Sequence, residues 1–549
     1  MAFSAERRCR TDEERRLFLW AAAIIFITTA VRAWFIASGP LDLVQDEAQY
    51  WDWSRHPQLS YYSKGPLIAW IITLWTGVFG STEFGVRFGA LLGGFLVQWG
   101  IWFGCARLFR RPRMGLIALV IAAGMPLVQA VSMLMTTDSP LLLCWTAALF
   151  ALYRTALFPE EKLPLAVLFL AAAFGNLAKY MMLFMPVTAF LFCLLLLRHK
   201  FISLRHSALI LAVLILGAAA GYLPILAWNI QNDWVTVRHV AALAGLTGKK
   251  ASSLLRFDTP FEFLGSSLGI VLPWWLLYML YRGFAALKTA VRGNDPSYRE
   301  FCAISGLTGE AASERADTVR CALLSSAFLP LWCGLFAWSF HTRVYPNWCG
   351  MSYAAGILLA ADGLERLLAR AAAGMSVRSA RAARTALIAN CALFAAALIL
   401  IAKPLPFLPD PANRLKGWRD MGAEMENLLE KFHDPDRVFF ITDYYDMTAE
   451  AAFYGPGQPA VYLAYLGGRR LTQYDLWPSP VDPGSDCTGM DALYVTRRDS
   501  LPGEIRSMFA EAEVFPWSAK EHGKPGRDYL FAVLRGFNGK WTKTARGRY

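Results

Sequence analysis

The sequence predicts a polytopic α-helical membrane protein, with about eleven transmembrane helices plus juxtamembrane helices and a soluble α/β domain at its C-terminal end. Three observations carry that prediction. The 549 residues are 56% hydrophobic and only 17% charged, with 20 Trp, which suits a chain that folds mainly in a bilayer. Apolar runs of bilayer-spanning length recur from residue 17 to residue 402. Beyond Lys403 the composition shifts to prolines, charges and short β-branched or aromatic runs. The formal net charge of +12 does not point to a nucleic-acid partner, because the basic residues fall between apolar runs, where they set topology.

The N-terminus places Arg7, Arg8 and Arg10 before an apolar run of about 20 residues without a cleavage signal, which reads as a retained anchor. Spans follow near 17–37, 84–106, 114–132, 139–153, 163–178, 181–197, 207–228, 262–281, 321–340, 346–364 and 385–402. The run from Pro66 to Phe79 is about 14 residues, roughly 21 Å as a helix, and short for a crossing. Were it to cross, Arg107, Arg110, Arg111 and Arg113 would lie on the side opposite the basic N-terminus, so it is predicted to be a juxtamembrane helix. The cytoplasmic segments then hold about 25 Lys and Arg against about 10 outside, with the N-terminus cytoplasmic and the tail extracytoplasmic. The outer side receives Asp46-Glu47, Lys64, Asp138, the loops 228–239 and 341–348, and everything after Lys403.

Pro404, Pro406, Pro409 and Pro411 open the tail. Strands are predicted at 438–442, 460–465, 492–496 and 529–534, with helices at 447–454 and 502–510, an alternation that favours a small α/β domain. The predicted domains are thus a membrane module over 1–403, whose first outer loop 38–83 carries the main motif, and a soluble domain over 404–549. Of ten cysteines only Cys487 lies in the tail, so no disulfide framework can form there, and no CxxC pair or His/Cys cluster suggests zinc. Neither fixed-period repeats nor inverted halves are visible.

Chemistry concentrates in the predicted outer segments. Acidic side chains at a membrane surface are costly without a task, which makes Asp46-Glu47 the first candidate. On a loop the two point in different directions: Asp46 suits a general base on an acceptor hydroxyl, and Glu47 suits orienting a partner or binding a cation. The alternative for both is capping of a helix ahead of Ala48-Gln49-Tyr50-Trp51. Lys64, in Tyr61-Tyr62-Ser63-Lys64-Gly65-Pro66, stands at the depth of a lipid phosphate, or simply snorkels to ordinary headgroups. Asp138, in Thr136-Thr137-Asp138-Ser139-Pro140, wants a cation, with Lys64 a candidate, or caps a helix with Pro140 behind it. Lys179, Tyr180, Arg238 and His239 are further candidates, Arg238 and His239 beside Lys64 for a donor phosphate. Tyr345, Asn347, Trp228 and Asn229 lie at outer helix ends, where aromatic belts are ordinary and stacking on a sugar ring is the functional reading.

Taken in order, Asp46-Glu47-Ala48-Gln49-Tyr50-Trp51, Lys64-Gly65-Pro66-Leu67, Phe84-Gly85-Val86-Arg87, Thr137-Asp138-Ser139-Pro140-Leu141, Lys179-Tyr180, Trp228-Asn229 and Pro346-Asn347-Trp348 resemble the dolichyl-phosphate-mannose protein mannosyltransferase-like family, glycosyltransferase family 39, of GT-C fold. The resemblance is to the bacterial branch that includes lipid A aminoarabinose transferases. It implies an inverting transferase of the bacterial inner membrane. A polyprenyl (undecaprenyl) phosphate sugar would be the donor, and a glycolipid such as lipid A or lipopolysaccharide the acceptor. It further implies Asp46 as base, Lys64 on the donor phosphate, and Asp138 as a carboxylate supporting that lysine. Ser63 stands where many relatives carry an acid, and Gly65 where they carry the first proline of a Lys-Pro-Pro pattern. A divalent metal near Glu47 is the one cofactor the resemblance leaves open. No nucleotide is needed, since the sugar arrives activated on its carrier, and no P-loop or GxGxxG is present. Alternatives are a lipid-linked sugar transporter or flippase, a protein O-glycosyltransferase of the same fold, and a non-catalytic assembly factor.

Overall fold

A computed structural model describes residues 2–244, 246, 256–309, 313–405, 412–466, 471–521 and 524–541. Pro406, Pro409 and Pro411 of the predicted tail opening lie outside them. The chain falls into two compact units. The first comprises Met1–Trp34, Phe88–Trp228 and Ala241–Ala397, and the second Phe35–Arg87, Asn229–Val240 and Leu398–Tyr549.

Among the described residues seven helices are long and apolar enough to cross a membrane: Asp12–Ala37, Glu83–Leu108, Asp138–Leu157, Tyr180–Arg198, Leu204–Gln231, Glu314–Trp338 and Val377–Ala402. Two helix pairs pass only together, Pro112–Ala123 with Pro126–Met133, bent by 78°, and Asp258–Val271 with Pro273–Arg292, bent by 102°. Leu163–Ala178 is a shorter apolar helix, and Ser352–Ala372 ends in charge. Every predicted span falls on one of these elements, and the fold is that of a multi-pass helical membrane protein.

The bends have local causes. Pro126 and Pro273 cannot donate to the preceding turn, so carbonyls before them lose helical partners. Leu272, just before Pro273, adopts a left-handed φ of 76°. At the first bend two buried amides replace the lost bonds. Gln129 Nε2 donates to Ala122 O at 2.9 Å and Ala123 O at 2.7 Å, and Asn390 Nδ2 to Val120 O at 3.3 Å and Ile121 O at 3.1 Å. Arg32 Nε donates to Gln129 Oε1 at 2.7 Å and so orients that amide. Gly124 must lack a Cβ, which would stand 2.3 Å from Asn390 Nδ2.

Sequence reading took Arg111, Arg282, Arg320 and Arg366 as loop charges that set topology. Arg111, Arg320 and Arg366 are instead buried in a lattice with Asp317, Asp362 and Glu365, joined by the partly exposed Arg282 and Asp295. Arg111 meets Glu365 at 2.5 Å and Asp362 at 3.3 Å; Arg366 meets Asp362 at 2.9 Å and Asp317 at 2.8 Å. Desolvating that many charges is tolerable only because acids and bases balance.

The second unit is built on a five-stranded sheet of order β2-β1-β3-β5-β4. β1 (Val438–Thr442), β2 (Val461–Leu463) and β3 (Asp491–Thr496) run parallel, while β5 (Lys524–Phe537) lies antiparallel to both β3 and β4 (Phe509–Glu521). Helices Trp418–Leu429 and Tyr445–Tyr454 cover one face, over Phe440, Leu493, Val495 and Phe531. Ile505, Met508, Leu466 and Cys487 cover the other, over Phe439, Ile441 and Tyr494. The α/β alternation is as predicted. Helix 502–510, however, shrinks to Gly503–Arg506, strand β4 replaces its end, and helix Trp418–Leu429 was not foreseen. β4 is an edge strand, which is why Pro516 is tolerated in it.

Residues 38–83, predicted as the first outer loop, fold within this unit rather than with the spans. Its helix Gln45–Ser54 packs on Tyr445–Tyr454, with the Trp51 ring edge-on to Phe453 at 4.9 Å. Arg55 Nη1 donates to Gln458 O at 2.8 Å, and Trp418 N donates to Asp42 Oδ2 at 2.8 Å. The predicted juxtamembrane segment is a helix, Leu67–Phe79, packed against Gln45–Ser54.

Candidate active site

Asp46 and Glu47 lie in the first turn of helix Gln45–Ser54 and not on an irregular loop. One residue advances a helix by about 100°, so neighbouring side chains face differently. Asp46 is exposed and Glu47 fully buried. Glu47 Oε2 accepts from the Val44 amide at 3.0 Å, closing the helix start, and from Arg87 Nη2 at 2.8 Å, while Oε1 accepts from Arg87 Nε at 3.1 Å. Arg87 also donates to Leu41 O at 3.1 Å and Asp42 O at 2.6 Å. The pair therefore fixes the chain entering the helix and leaves Asp46 as the outward carboxylate. Glu47, taken from sequence as a second catalytic acid or a cation ligand, has the geometry of an anchor. Among the described residues no group of three or more His, Cys, Asp or Glu stands together to hold a metal.

Lys64 closes a tight turn. Its carbonyl accepts from Tyr61 N at 3.2 Å and Ser60 Oγ at 3.3 Å. The Tyr61 ring stacks on Trp53 at 4.6 Å and its hydroxyl donates to Trp53 O at 3.0 Å, so the turn is tied to helix Gln45–Ser54. Burial pushes the Tyr61 hydroxyl up to about 12, which keeps it a neutral donor. Two further segments hold the turn. Thr236 Oγ1 donates to Tyr61 O at 3.2 Å, and Gln473 Oε1 accepts from Tyr62 N at 2.7 Å. His239 lies against the Tyr62 ring at 4.8 Å, with Arg238 exposed beside it in the helix Val235–Leu243. Asn229 starts that helix by accepting from Thr236 N at 3.1 Å. The structure thus brings Lys64, Arg238 and His239 into one neighbourhood through Tyr61, Tyr62 and Thr236.

The remaining candidates belong to the helical unit. Asp138 opens helix Asp138–Leu157 and is nearly buried; Lys179 Nζ donates to its Oδ1 at 2.7 Å and Asn347 Nδ2 to its Oδ2 at 3.2 Å. The cation shown on Asp138 is thus Lys179, a residue the sequence had only as a further candidate. Gly350 lets the chain pass close to Asn347, whose carbonyl oxygen would stand 3.0 Å from a Cβ there. Tyr345 is 41% exposed, 6.0 Å from the Trp348 ring and with the Arg343 guanidinium 5.3 Å from its own ring centre.

Sequence reading assigned no role to Arg87, Thr236 or Gln473. Arg87 stood in a motif whose spacing was visible, but its partner Glu47 is 40 residues away and was assigned otherwise. Gln473 lies 411 residues from Tyr62, with no local pattern to mark it.

The membrane-length helices define a multi-pass integral membrane protein, and its fold is GT-C-like. Residues 63–228 match the family described as dolichyl-phosphate-mannose-protein mannosyltransferase, the family read from the sequence motifs. The lipid A galacturonosyltransferase RgtD of Rhizobium johnstonii is 32% identical over 251 residues, 44% of this chain and 50% of that protein, so the chain spans about half the length of that curated relative. The crystal structure of ArnT from Cupriavidus metallidurans bound to undecaprenyl phosphate has a TM-score of 0.58 at 14% identity, covering 93% of this chain and 98% of that one, a likeness of fold.

Proposed function

We propose that the protein is an inverting glycosyltransferase of the bacterial inner membrane that moves a sugar from a polyprenyl phosphate carrier to a lipid A-type glycolipid. The observation that carries this reading is the division between Asp46, exposed at a helix start, and Glu47, locked to Arg87, in the same unit as the Lys64 turn. Support for donor and acceptor comes from RgtD, which acts on lipid A, and from ArnT, whose structure contains undecaprenyl phosphate.

The chemistry follows from charge. As the glycosidic bond breaks, the carrier phosphate gains a negative charge, so fixed cations there favour the transition state over the ground state. Lys64, with Arg238 and His239 in its neighbourhood, serves that role. Asp46 accepts the proton of the acceptor hydroxyl as that oxygen attacks the anomeric carbon from the face opposite the phosphate, which inverts the centre. Asp138, held by Lys179 and Asn347, orders the helix start where it sits. Burial lowers the His56 pKa, so this imidazole, packed at a tilt against the Trp477 ring, stays neutral and contributes packing rather than charge.

The test is sugar transfer from a synthetic polyprenyl-phosphate donor to purified lipid A by the full-length protein. Asp46→Asn should lower turnover by about 10²- to 10⁴-fold with donor affinity retained. Unchanged turnover would remove Asp46 as the base. Translocation of the carrier lipid without any product would instead indicate a transporter.

A further inference from the structure

The parallel strands β1 and β3 are neighbours whose chains leave in opposite directions. After β1 the chain enters helix Tyr445–Tyr454 on one face of the sheet; after β3 it runs to Ile505 and Met508 on the other. In open α/β sheets such a divergence leaves a crevice at the carboxyl ends of the two strands, the usual seat of a ligand. Those two strand ends here carry a dense set of polar and aromatic groups. Asp443, buried at the end of β1, accepts from Thr496 Oγ1 at 2.8 Å and from Arg498 Nε. Asp446 accepts from Arg497 Nη2 at 2.7 Å. Both guanidinium carbons lie 5.4 Å from the ring centre of Tyr444, which is 37% exposed.

The chemistry of the cluster narrows its ligand. Two acids balance two bases, which disfavours a nucleic acid or a bare metal ion. A partly exposed aromatic ring beside oriented carboxylate and guanidinium groups suits a ring with an apolar face and hydroxyls at its rim. None of these residues supports the Lys64 turn or the Glu47–Arg87 anchor, so the core assembly described above does not account for them. We propose that Asp443, Tyr444, Asp446, Arg497 and Arg498 form a saccharide-docking site that receives the glycan portion of the acceptor. The proposal rests on the glycosyltransferase reading for its ligand, and not for its geometry. It gives the tail a second task beside clamping the first outer loop, namely acceptor selection.

The test uses full-length protein in nanodiscs and the deacylated glucosamine disaccharide of lipid A as probe. Saturation-transfer NMR should detect binding to the wild type. Tyr444→Ala should weaken it by about five- to tenfold, and Tyr444→Phe, which keeps the ring, should restore it. Arg497→Ala with Arg498→Ala should weaken it comparably, and undecaprenyl phosphate should bind all variants equally. No transfer to the wild type, equal transfer to Tyr444→Ala, or a parallel loss of undecaprenyl phosphate binding would each overturn the site. Because the readout needs no turnover, these results are distinguishable from a failure of the enzymatic reading: normal sugar transfer with an acceptor KM unchanged in Tyr444→Ala would remove the docking site and leave the enzyme.

Discussion

Two charged regions of the helical unit use ion pairs in opposite ways. Around Asp362 four arginines meet four acids, and Asp362 itself touches Arg111, Arg282, Arg320 and Arg366. Around Asp138 there is one lysine and one asparagine. Helix Ser352–Ala372 connects the two, beginning just after Asn347 and Gly350 and ending through Asp362, Glu365 and Arg366. The first arrangement is redundant, rigid and built from arginine, whose fork makes several bonds at once. The second is sparse and built on lysine, a point charge with rotatable donors. Redundancy is what holds helices together; sparseness is what a group needs if a substrate is to share it. The Glu47–Arg87 pair of the other unit is of the first kind, with Asp46 exposed beside it.

The comparison breaks most directly at Asp362. Asp362→Asn leaves three buried arginines and the partly exposed Arg282 short of a charge, and removal of one partner from a buried ionic cluster costs about 3 to 5 kcal/mol. A large drop in thermal midpoint is expected, with any folded fraction retaining its turnover per molecule. A thermal melt that matched the wild type would show that the lattice is not holding the helices. Arg87→Met should behave in the same direction, since it strands Glu47 and unties Leu41 and Asp42.

At Asp138 the expected effect is smaller in stability and appears in activity. Asp138→Asn keeps the shape and the Asn347 contact while removing the charge under Lys179, and kcat/KM should fall about 10- to 100-fold, or roughly 1.4 to 2.7 kcal/mol. The melting midpoint should move by a few degrees at most. A profile like that of Asp362→Asn, with stability lost and activity per folded molecule intact, would move Asp138 into the structural class.

Much of this was legible in the sequence, and the exceptions have physical causes. Hydrophobic length alone located the seven membrane-length helices among the described residues, because a bilayer imposes the same requirement on each, but it did not separate them from the two bent pairs and the shorter Leu163–Ala178. Bends at Pro126 and Pro273 were hidden because hydropathy does not register a lost hydrogen bond. β4 was hidden because Ala510-Glu511-Ala512-Glu513 are good helix formers, overridden by pairing with β5. The arginine lattice could not be told from loop charges, since position in sequence does not reveal burial. At the site, adjacency of Asp46 and Glu47 did announce two different surroundings, one exposed and one buried. Which residue is buried was set by partners at positions 44 and 87, and a sequence without coordinates does not supply them.

The smallest effect tests how the tail clamps the loop. Glu450 on helix Tyr445–Tyr454 is fully buried, and among the described residues neither of its oxygens has a hydrogen-bond partner. Burial, with Asp42 and Glu47 nearby, raises its pKa well above the ordinary carboxylate value, opposed by Arg527. An acid whose folded pKa is raised adds stability below its unfolded pKa and loses it as pH climbs from there towards the folded value, because the unfolded chain ionises while the folded one cannot. The helix pair is therefore weaker at neutral and alkaline pH than at mildly acidic pH. Glu450→Gln keeps the shape and abolishes that titration. It should raise the thermal midpoint by roughly a few degrees at pH 8 and leave it nearly unchanged at pH 4. An equal shift at both pH values would mean that Glu450 acts through packing, and that the clamp between tail and loop carries no buried proton.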